Sequence, residues 1–433
     1  MLDVELIRRE PAKVKDGISK KNAAPELVDK FLELDKVWRE RTKNVDELRA
    51  KLNQLSKERK VEEAKLVKEK LKGVEFELPE MESKRLSALK ALPNLPLPDV
   101  PEGDEKSNKT LREVGKKPVF DFPPLDYIQL GQKLDLIDTE RAAKVSGSRF
   151  GYLKHEAPLL EFALIQLVLN FVTNEKNIQK IIKENKLSIV PKPFIPVIPP
   201  VLIKPESMEA MGYVERGGEE IYFIEKDKLY LVGTSEQSIG PMHMNESFNK
   251  AVLPPRHISF STCFRREAGS YGKDTKGILR VHQFDKLEMF ITCAPETSDD
   301  EHKLLLAIEE KLMQALELPY RVLNIAAGDL GDPAAAKYDI EVWLPGQPST
   351  DSGQEKGQYR ETHSTSNTTD YQARRLNVKY KPEGKFVHML NGTAFAIGRI
   401  LIAIIENYQT KKGTVKVPKA LQKYVGLKEI IRS

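Results

Sequence analysis

Three arginines stand where a guanidinium group could bind phosphate. Arg265 ends one apolar, strand-like run, Arg280 precedes the next, and Arg399 interrupts the apolar segment Ala394–Tyr408. Arginine on a rigid element suits bidentate recognition of phosphate. A surface ion pair is the ordinary alternative for any single one, but a cation inside an apolar helix requires a partner. Together they predict a phosphate-binding site.

Two carboxylates, Glu288 and Glu361, could hold Mg²⁺ or the ammonium group of a substrate. The sequence has no GxGxxG or GxxxxGK[ST] phosphate loop, no GxSxG nucleophile elbow, and no HExxH or paired CxxC. Its two cysteines, Cys263 and Cys293, cannot form a zinc cluster or a disulfide framework. A nucleotide enzyme of this sequence must therefore hold phosphates by another device, and we expect no zinc.

Composition limits the class of protein. The 433 residues are 40% hydrophobic and 31% charged, which predicts two or three globular domains. No apolar run reaches the roughly 18–20 residues of a membrane helix, and the charged segment Met1–Glu10 is unlike a targeting peptide. We expect a cytoplasmic protein without a membrane partner. The net charge of +5 is too small to diagnose nucleic-acid binding.

The elements that must position these residues begin with a helical arm, at about 26–92. Apolar residues recur there at steps of four and three, which is a heptad pattern. They are Leu27, Phe31, Leu34, Trp38, Val45, Leu48, Leu52 and Leu55, then Val67, Leu71, Val74, Leu78 and Met81. The polar stretch Ser56–Lys60 between the two runs favours an antiparallel hairpin over one continuous helix. Pro79 predicts a kink or break in the second helix.

Two functions fit this arm. One is a coiled-coil dimerisation stalk with solvated faces. The other is a protruding arm that lies along an RNA backbone, with phosphate-facing cations at Lys57, Arg59 and Lys60 and in the lysines after them. Composition alone leaves both open.

The proline-rich and polar stretch 93–117 predicts a linker, which gives an arm domain at 1–110 and a second domain at 111–433. Short β-branched or aromatic runs joined by hairpins follow, with apolar helices set apart from them. Val387–Leu390 leads through Asn391-Gly392 into the helix predicted over Ala394–Tyr408. The fold class is therefore α+β, with helices flanking an antiparallel sheet.

Several segments of the chain resemble those of one enzyme family. Phe264–Glu288 resembles motif 2 of class II aminoacyl-tRNA synthetases, in the form found in seryl-tRNA synthetases, and Leu390–Arg399 resembles motif 3. Gly233–Glu236 resembles the Thr-x-Glu segment that binds serine, and the proline-rich Pro196–Ile203 stands where motif 1, a dimer-interface element, belongs. Ala142–Phe150 and Leu92–Pro96 match further landmarks. The resemblance covers essentially the whole chain, arm included.

The resemblance implies a class II catalytic domain that activates L-serine with ATP, gives seryl-adenylate, and transfers serine to the terminal adenosine of tRNA(Ser). It leaves open whether tRNA(Sec) is charged as well. ATP is then a substrate, Mg²⁺ a cofactor, and the protein a homodimer whose arm reaches tRNA at the other subunit. It also implies the branch of the family without zinc.

The resemblance carries roles over to residues of this chain. It implies that Arg265 and Arg399 are catalytic. The expected serine-binding residues are Thr234, Ser235, Glu236, Arg265, Glu288, Asn391 and Thr393. The expected ATP-binding residues are Arg265, Arg266, Glu267, Arg280, Val281, Phe284, Glu361, Thr362, His363, Ser364 and Arg399. Glu361 and Ser364 are expected to hold Mg²⁺.

The sequence departs from the family pattern in places. Ser235 stands where alanine is frequent, and Thr393 where serine is usual, so an extra methyl group crowds the pocket. Pro348–Gly357 resembles a short polar insertion, which we expect to be a flexible loop. Three alternatives remain: a paralogue that loads a carrier protein, a non-catalytic RNA-binding protein on a decayed synthetase scaffold, and a class II enzyme for threonine or proline.

Overall fold

The computed structural model describes residues 1–268, 274, 276–346 and 357–432. The chain forms two compact units, an arm unit at 1–96 and a sheet unit at 97–433. The expected loop at 348–357 falls almost entirely outside the described residues.

The arm unit consists of helices. They are α1 (Val4–Arg9), α2 (Pro11–Ser19), α3 (Glu26–Lys57) and α4 (Val61–Lys90). The chain reverses between α3 and α4 at residues 58–60, where Arg59 takes a positive φ of 60°. The heptad residues Phe31, Val45, Leu55 and Leu71 are buried between the helices. This confirms the predicted antiparallel hairpin and its polar hinge.

Pro79 does not break the second arm helix. It lies inside α4, which the structure describes as one helix on both sides of the proline. A proline in a helix interior costs about 3 kcal/mol because it removes a donor and crowds the preceding turn. Since α4 packs along α3, tertiary contacts offset that cost. The predicted break is therefore wrong, and its alternative, a kink at Pro79, stays a prediction.

A buried carboxylate joins the helices at the base of the arm. Asp35 of α3 has a fully buried side chain and accepts hydrogen bonds from Arg8 at 2.9 Å, Arg39 at 3.0 Å and Arg85 at 2.7 Å. Burial opposes ionisation, but the bonds from Arg8 and Arg85 hold the pKa of Asp35 below its usual value. The guanidinium of Arg85 also lies over the ring of Trp38 at 4.5 Å. The apolar contact between α3 and α4 is thus accompanied by a buried cluster of charged side chains around Asp35.

The sheet unit mixes helices and strands. Its helices are α5 (Tyr127–Lys133), α6 (Thr139–Ser146), α7 (Glu156–Val172), α8 (Glu175–Glu184), α9 (Pro205–Met211), α10 (Val214–Gly217), α11 (Glu236–Ile239), α12 (Ser298–Ala315), α13 (Tyr371–Leu376), α14 (Ile397–Asn407) and α15 (Lys419–Val425). Its strands are β1 (Lys109–Val114), β2 (Ile137–Asp138), β3 (Tyr152–Leu153), β4 (Ile195–Val197), β5 (Leu202–Ile203), β6 (Phe223–Ile224), β7 (Leu229–Leu231), β8 (Ser247–Asn249), β9 (Arg256–Phe264), β10 (Gln283–Cys293), β11 (Tyr320–Asn324), β12 (Ala336–Leu344), β13 (Gln358–Asn367), β14 (Lys379–Lys381), β15 (Lys385–Phe386), β16 (His388–Ala396), β17 (Val415–Lys416) and β18 (Glu429–Ile430).

The main sheet has eight strands within the described part of the chain, in the order β1-β11-β12-β13-β16-β10-β9-β4. Neighbouring strands are antiparallel, apart from the parallel pair β4–β9 at one edge. Helices α7, α12 and α14 pack against it over a shared apolar core that includes Leu160, Leu304 and Leu401. The predicted α+β class with an antiparallel sheet is confirmed.

The first strand lies inside the segment expected to be a linker. β1 pairs with β11, with Val114 opposite Tyr320, so it belongs to the sheet unit. A domain boundary at 110/111 would cut this strand, whereas the two compact units divide at 96/97. The composition of the segment hid the strand because an edge strand with exposed side chains carries little apolar signal.

The Asn391-Gly392 pair lies inside a strand and does not lead directly from a strand into a helix. β16 continues through it to Ala396, and α14 begins at Ile397 rather than at Ala394. Strands pair with β16 on both sides, with Met289 and Thr365 opposite Gly392, and these ladders hold the pair extended. A turn preference of two residues is weak against pairing on both edges.

No single helix of the described residues is long and apolar enough to cross a membrane. Helices α7 and α8 reach the length and apolar composition of a membrane span only when they are taken together, and their axes meet at an angle of 71°. Several apolar residues of α7, such as Leu164 and Val168, are buried in the core of the sheet unit.

Candidate active site

A cavity of about 650 Å³ lies against strands β10, β12, β13 and β16. The alternation of β10 explains which side chains reach it. Phe284, Lys286 and Glu288 line the cavity, whereas Leu287 and Met289 lie in the apolar core. The same strand thus supplies both the core and the polar site.

Most of the residues expected to bind serine or ATP line this cavity. They are Thr234, Glu236, Arg265, Glu267, Arg280, Val281, Phe284, Glu288, Glu361, Thr362, Ser364, Asn391, Thr393 and Arg399. Their segments lie up to 165 positions apart in the sequence, from 234 to 399, and the sheet brings them together.

Three of the expected residues, Ser235, Arg266 and His363, are not among those that line the cavity. The Ser235 hydroxyl lies 2.6 Å from that of Ser259 inside the protein, and the guanidinium of Arg266 lies over a neighbouring tyrosine ring. His363 is fully buried, and burial lowers its pKa to about 3, so its ring is neutral. The structure therefore gives no direct contact between these side chains and a ligand in the cavity.

One end of the cavity is built around Glu288. Thr393 donates a hydrogen bond to Glu288 Oε2 at 3.1 Å, and Lys286 Nζ lies 2.7 Å from the same oxygen. Lys286 also donates to Thr234 Oγ1 at 2.7 Å. This end can pair a hydroxyl group, because it offers both a carboxylate acceptor and hydroxyl groups.

Lys286 is absent from the set of site residues taken from the sequence. It is buried, and its ammonium group joins residues that were in that set, Glu288 and Thr234. The period of two in a strand could have found it, because Lys286 stands between Phe284 and Glu288 at the same spacing.

Glu236 lies at the first position of α11 and is buried in the cavity wall. Tyr213 Oη donates to Glu236 Oε1 at 2.5 Å. Burial and repulsion from Glu288 raise the pKa of Glu236 to about 7, while the Tyr213 hydrogen bond and the charge of Lys286 oppose that rise. A bound ammonium group would favour the ionised form of this carboxyl.

Arg265 stands just after the end of β9, and the backbone fixes its side chain. Its Nε donates to the carbonyl oxygen of Gly233 at 3.1 Å, and its guanidinium lies 5.3 Å from the centre of the Phe284 ring. Its own N–H donates to the carbonyl oxygen of His282 at 2.9 Å. The guanidinium therefore lies between the segment that carries Thr234 and a ring that could stack on a base.

Arg280 faces Glu267 across the cavity wall. Its Nη1 lies 3.1 Å from Glu267 Oε2, and Glu267 adopts a positive φ of 52°. Val281, the next residue, also lines the cavity. This pair places a cation and a carboxylate in the wall of the cavity that Phe284 also lines.

Arg399 occupies the first turn of α14. Its Nη1 donates to the Glu361 carbonyl oxygen at 2.9 Å and lies 3.4 Å from Glu361 Oε1. Burial opposes ionisation of Glu361, but the charges of Arg399 and Lys337 outweigh it and hold its pKa below the usual value. The partner that the apolar helix required for its arginine is therefore Glu361.

Lys337 of β12 is a second cavity residue that the sequence reading did not include. It lies 3.2 Å from Asp339 Oδ2. Burial raises the pKa of Asp339 to about 6 against the opposing charge of Lys337. Charged residues that alternate in a buried strand, as in Lys337 and Asp339, are a signal that could have indicated this pair.

The described residues contain no group of three or more His, Cys, Asp or Glu side chains placed to hold a metal ion. Glu361 and Ser364 both line the cavity and offer a carboxylate and a hydroxyl oxygen. Mg²⁺ commonly takes one or two protein ligands and completes its shell with phosphate oxygens and water. The two residues therefore fit Mg²⁺ that is bound together with a nucleotide.

Comparison with known proteins decides the family. Residues 1–96 match the family described as "Seryl-tRNA synthetase N-terminal domain", and residues 222–408 match "tRNA synthetase class II core domain (G, H, P, S and T)". A serine–tRNA ligase of Dictyoglomus turgidum is 42% identical over 99% of both chains. This chain belongs to the seryl-tRNA synthetase family.

Solved structures agree with that membership. A seryl-tRNA synthetase from Pyrococcus horikoshii, complexed with ATP, superposes with a TM-score of 0.88 at 37% identity and full coverage of both chains. A cytoplasmic serine–tRNA ligase from Naegleria fowleri, in complex with AMP, gives 0.86 at 34% identity, covering 99% of this chain and 98% of that one. Its family membership makes this chain an aminoacyl-tRNA synthetase, which is a ligase. The carrier-protein, decayed-scaffold and threonine or proline alternatives are not favoured.

Proposed function

We propose that this seryl-tRNA synthetase activates L-serine with ATP in the 650 Å³ cavity and then transfers the seryl group to tRNA(Ser). The observation that carries the proposal is the chemistry of one cavity wall. It combines buried carboxylates and hydroxyl groups, at Glu236, Glu288 and Thr393, with three arginines, Arg265, Arg280 and Arg399. An amino acid and a polyphosphate could therefore meet between them.

The serine end suits both polar groups of the amino acid. The ammonium group would bind Glu236 and Thr234, and the side-chain hydroxyl would bind Glu288 and Thr393, with Asn391 beside them. A pocket that pairs a hydroxyl rejects alanine, because its own buried polar groups would then be left unpaired. Threonine would be excluded by size, since Thr393 adds a methyl group to the wall.

The nucleotide end suits a folded ATP. The adenine would stack on Phe284, with its amino group near Glu267 and its edge against the backbone of Val281. Arg280 and Arg399 would hold the outer phosphates, and Arg265 the α-phosphate together with the serine carboxylate.

Glu361 and Ser364 would hold Mg²⁺, with Thr362 alongside. The ion would neutralise charge on the phosphates. The side chains of Ser235, Arg266 and His363 do not line the cavity. We propose that they make no direct contact with a ligand and instead hold neighbouring site residues in place.

Activation requires no covalent enzyme intermediate. A serine carboxylate oxygen attacks the α-phosphorus of ATP, the bond to the bridging oxygen breaks, and pyrophosphate leaves with that electron pair. Seryl-adenylate remains. The residues accelerate this step by holding the two reactants in line and by placing Arg265 where charge develops on the α-phosphate.

The second step uses the terminal adenosine of tRNA. One of its ribose hydroxyl groups attacks the seryl carbonyl, and AMP leaves. We propose that the arm unit binds the tRNA by shape and by phosphate contacts near its tip, where Lys57, Arg59 and Lys60 lie. The arm is then an RNA-binding arm rather than a dimerisation stalk.

We also propose that the protein is a cytoplasmic homodimer. The apolar side chains of Phe162 on α7, Ile195 in β4 and Ile198 just after β4 are exposed, at 66%, 54% and 86%. Large apolar side chains left exposed can mark a protein interface. Sedimentation analysis of the wild type and of Phe162→Asp tests this. We expect a dimer that the variant converts to monomer.

The function is tested by ATP–pyrophosphate exchange, with serine, threonine, alanine and glycine compared and no tRNA added. We expect exchange that depends on serine and exceeds the others at least about a hundredfold. No exchange from folded protein would contradict the proposal.

A charging assay then separates the acceptors tRNA(Ser), tRNA(Sec) and a carrier protein. Reversing the charges of Lys57, Arg59 and Lys60 to glutamate should reduce tRNA charging and leave serine-dependent exchange unchanged. Equal loss of both activities would argue against an arm dedicated to tRNA.

A further inference from the structure

The hydroxyl group of Tyr127 lies against the backbone of the segment 276–278. Tyr127 is the first residue of α5, and its side chain is buried. Its Oη accepts a hydrogen bond from the Ile278 N–H at 3.2 Å and donates to the Lys276 carbonyl oxygen at 3.2 Å. Burial raises the pKa of Tyr127 to about 12, so the hydroxyl keeps its proton and can donate.

Gly277 allows this contact. Its φ of +74° lies in the left-handed region, and a Cβ atom there would be 2.0 Å from Tyr127 Oη. Any other residue would therefore push the hydroxyl away or displace the backbone. The close approach of the Tyr127 hydroxyl to this segment requires glycine at position 277. Both hydrogen bonds between that hydroxyl and the backbone of Lys276 and Ile278 therefore depend on Gly277.

The other end of Tyr127 is fixed to α14. Glu406 Oε1 accepts from the Tyr127 N–H at 3.0 Å, and Glu406 Oε2 accepts from the Gly346 N–H at 2.9 Å. Gln409, just after the helix, accepts from the Leu125 N–H at 2.8 Å. The start of α5 is thus attached to the C-terminal end of α14, the helix whose first turn carries Arg399.

The residues that follow the held segment enter the ATP end of the cavity. Ile278, Leu279, Arg280 and Val281 all line it. The Tyr127 hydroxyl therefore fixes the position of the backbone just before Arg280. Because Tyr127 is also bonded to α14, it fixes that backbone relative to the helix that carries Arg399. The two arginines come from segments distant in sequence. Tyr127 connects those segments through three hydrogen bonds, with the Lys276 carbonyl oxygen, the Ile278 N–H and the Glu406 carboxylate.

We propose that Tyr127 is a positioning residue for nucleotide binding: through its hydroxyl it holds the segment 276–281 at a fixed distance from α14, so that Arg280 and Arg399 meet the same polyphosphate. This inference rests on the proposed binding of ATP in the cavity. Tyr127 does not line the cavity, so it acts through Arg280 and Val281 rather than on the ligand.

The test compares Tyr127→Phe with a matched control, Tyr408→Phe. Both changes remove one hydroxyl that donates to a backbone carbonyl, since Tyr408 Oη donates to Leu316 O at 2.7 Å, away from the segment 276–281. ATP affinity is measured by calorimetry without serine, and thermal melting is recorded for both. We expect a dissociation constant about tenfold higher for Tyr127→Phe, and a change of less than about twofold for Tyr408→Phe.

A double-mutant cycle distinguishes positioning from general stability. In an Arg280→Ala background the Tyr127→Phe change should have little further effect on ATP affinity, because the group it positions is gone. Exchange assays should show a higher KM for ATP in Tyr127→Phe, with the KM for serine within about twofold of wild type. Additive losses in the cycle would overturn the proposal, as would equal rises in both KM values.

A second variant covers the case in which Tyr127→Phe fails to fold. Gly277→Ala introduces the clash from the opposite side and leaves the tyrosine intact, and it should also weaken ATP binding about tenfold. Wild-type protein that binds no ATP would refute the proposed function itself. Wild-type binding that both variants retain in full would refute only the role of Tyr127.

Discussion

Lys286 and Glu288 form a buried ion pair, with Lys286 Nζ 2.7 Å from Glu288 Oε2, on two residues of one strand that face the same cavity. Lys286 also donates to Thr234, so a single ammonium group joins the two sides of the proposed serine pocket. Its charge offsets the repulsion between Glu288 and Glu236, the second-largest cause of the raised pKa of Glu236. A buried carboxylate that loses its partner is strongly destabilised.

Lys286→Met should therefore damage serine binding more than ATP binding. Glu288 would lose its cation, and Glu236 would hold its proton more firmly, which weakens its attraction for the serine ammonium group. We expect the KM for serine to rise about a hundredfold and the KM for ATP to change by less than about fivefold, measured by pyrophosphate exchange. Lys303→Met, which removes a lysine paired with Asp299 outside the cavity, is the control. A rise of the same size in both KM values would contradict the assignment.

Glu236 should give the serine reaction an acidic limit. Its pKa of about 7 lies well above the usual value, so the free enzyme loses the carboxylate as the pH falls through 7. We expect kcat/KM for serine to fall toward tenfold per pH unit below that point, and kcat to depend less on pH because bound serine keeps the carboxyl ionised. Profiles from pH 5.5 to 9 measure this.

Tyr213→Phe provides the matching variant. It removes a hydrogen bond to the ionised form of Glu236, so the inflexion of kcat/KM should move to higher pH by about one unit. An unchanged inflexion in this variant would show that another group sets the acidic limit.

Several residues of the candidate site could be predicted because they break the pattern of their own elements. Arg399 inside an apolar helix predicted a buried partner, and the structure supplies Glu361. The arm was predictable for a related reason: its heptads and polar hinge are local patterns that no distant contact overrides.

The parts that sequence reading missed depend on distant contacts. Asn391-Gly392 resembles a turn, but pairing with β10 and β13 on both sides holds it extended. Ser235 lies in a segment expected to bind serine, but its hydroxyl group is hydrogen-bonded to that of Ser259. The strand period places Lys286 on the same face of β10 as Phe284 and Glu288, but only the folded cavity shows that its ammonium group joins Glu288 and Thr234. Such residues are decided by tertiary neighbours, which a single sequence does not display.

Thr393 should set the exclusion of threonine. Its hydroxyl donates to Glu288, and its methyl group takes up room in a buried part of the pocket. Thr393→Ser keeps the hydroxyl and removes the methyl, so exchange with threonine should rise about tenfold while kcat/KM for serine stays within about threefold. Thr393→Ala, which removes both groups, should reduce the serine reaction itself. Threonine exchange that does not rise in Thr393→Ser would show that another residue provides the size limit.

The carboxyl group of Glu161 should make the sheet unit less stable in alkali. Glu161 of α7 lines a second cavity, of about 320 Å³, together with Asp285 of β10. Burial, followed by the charge of Asp285 and a hydrogen bond to it, raises the pKa of Glu161 from 4.5 to about 8. The folded state therefore keeps a proton that the unfolded chain has released. The resulting stabilisation is complete below about pH 4.5 and is lost as the pH rises through 8.

Glu161→Gln tests that dependence, because an amide of similar shape stays neutral at every pH and can still donate to Asp285. Relative to wild type, the variant should melt about 2–4 °C higher at pH 9, with little difference at pH 5. Glu175→Gln, which changes an exposed glutamate at the start of α8, should shift melting equally at both pH values. A parallel shift for Glu161→Gln would mean that its carboxyl is already ionised at pH 5, and that the pair with Asp285 does not share a proton.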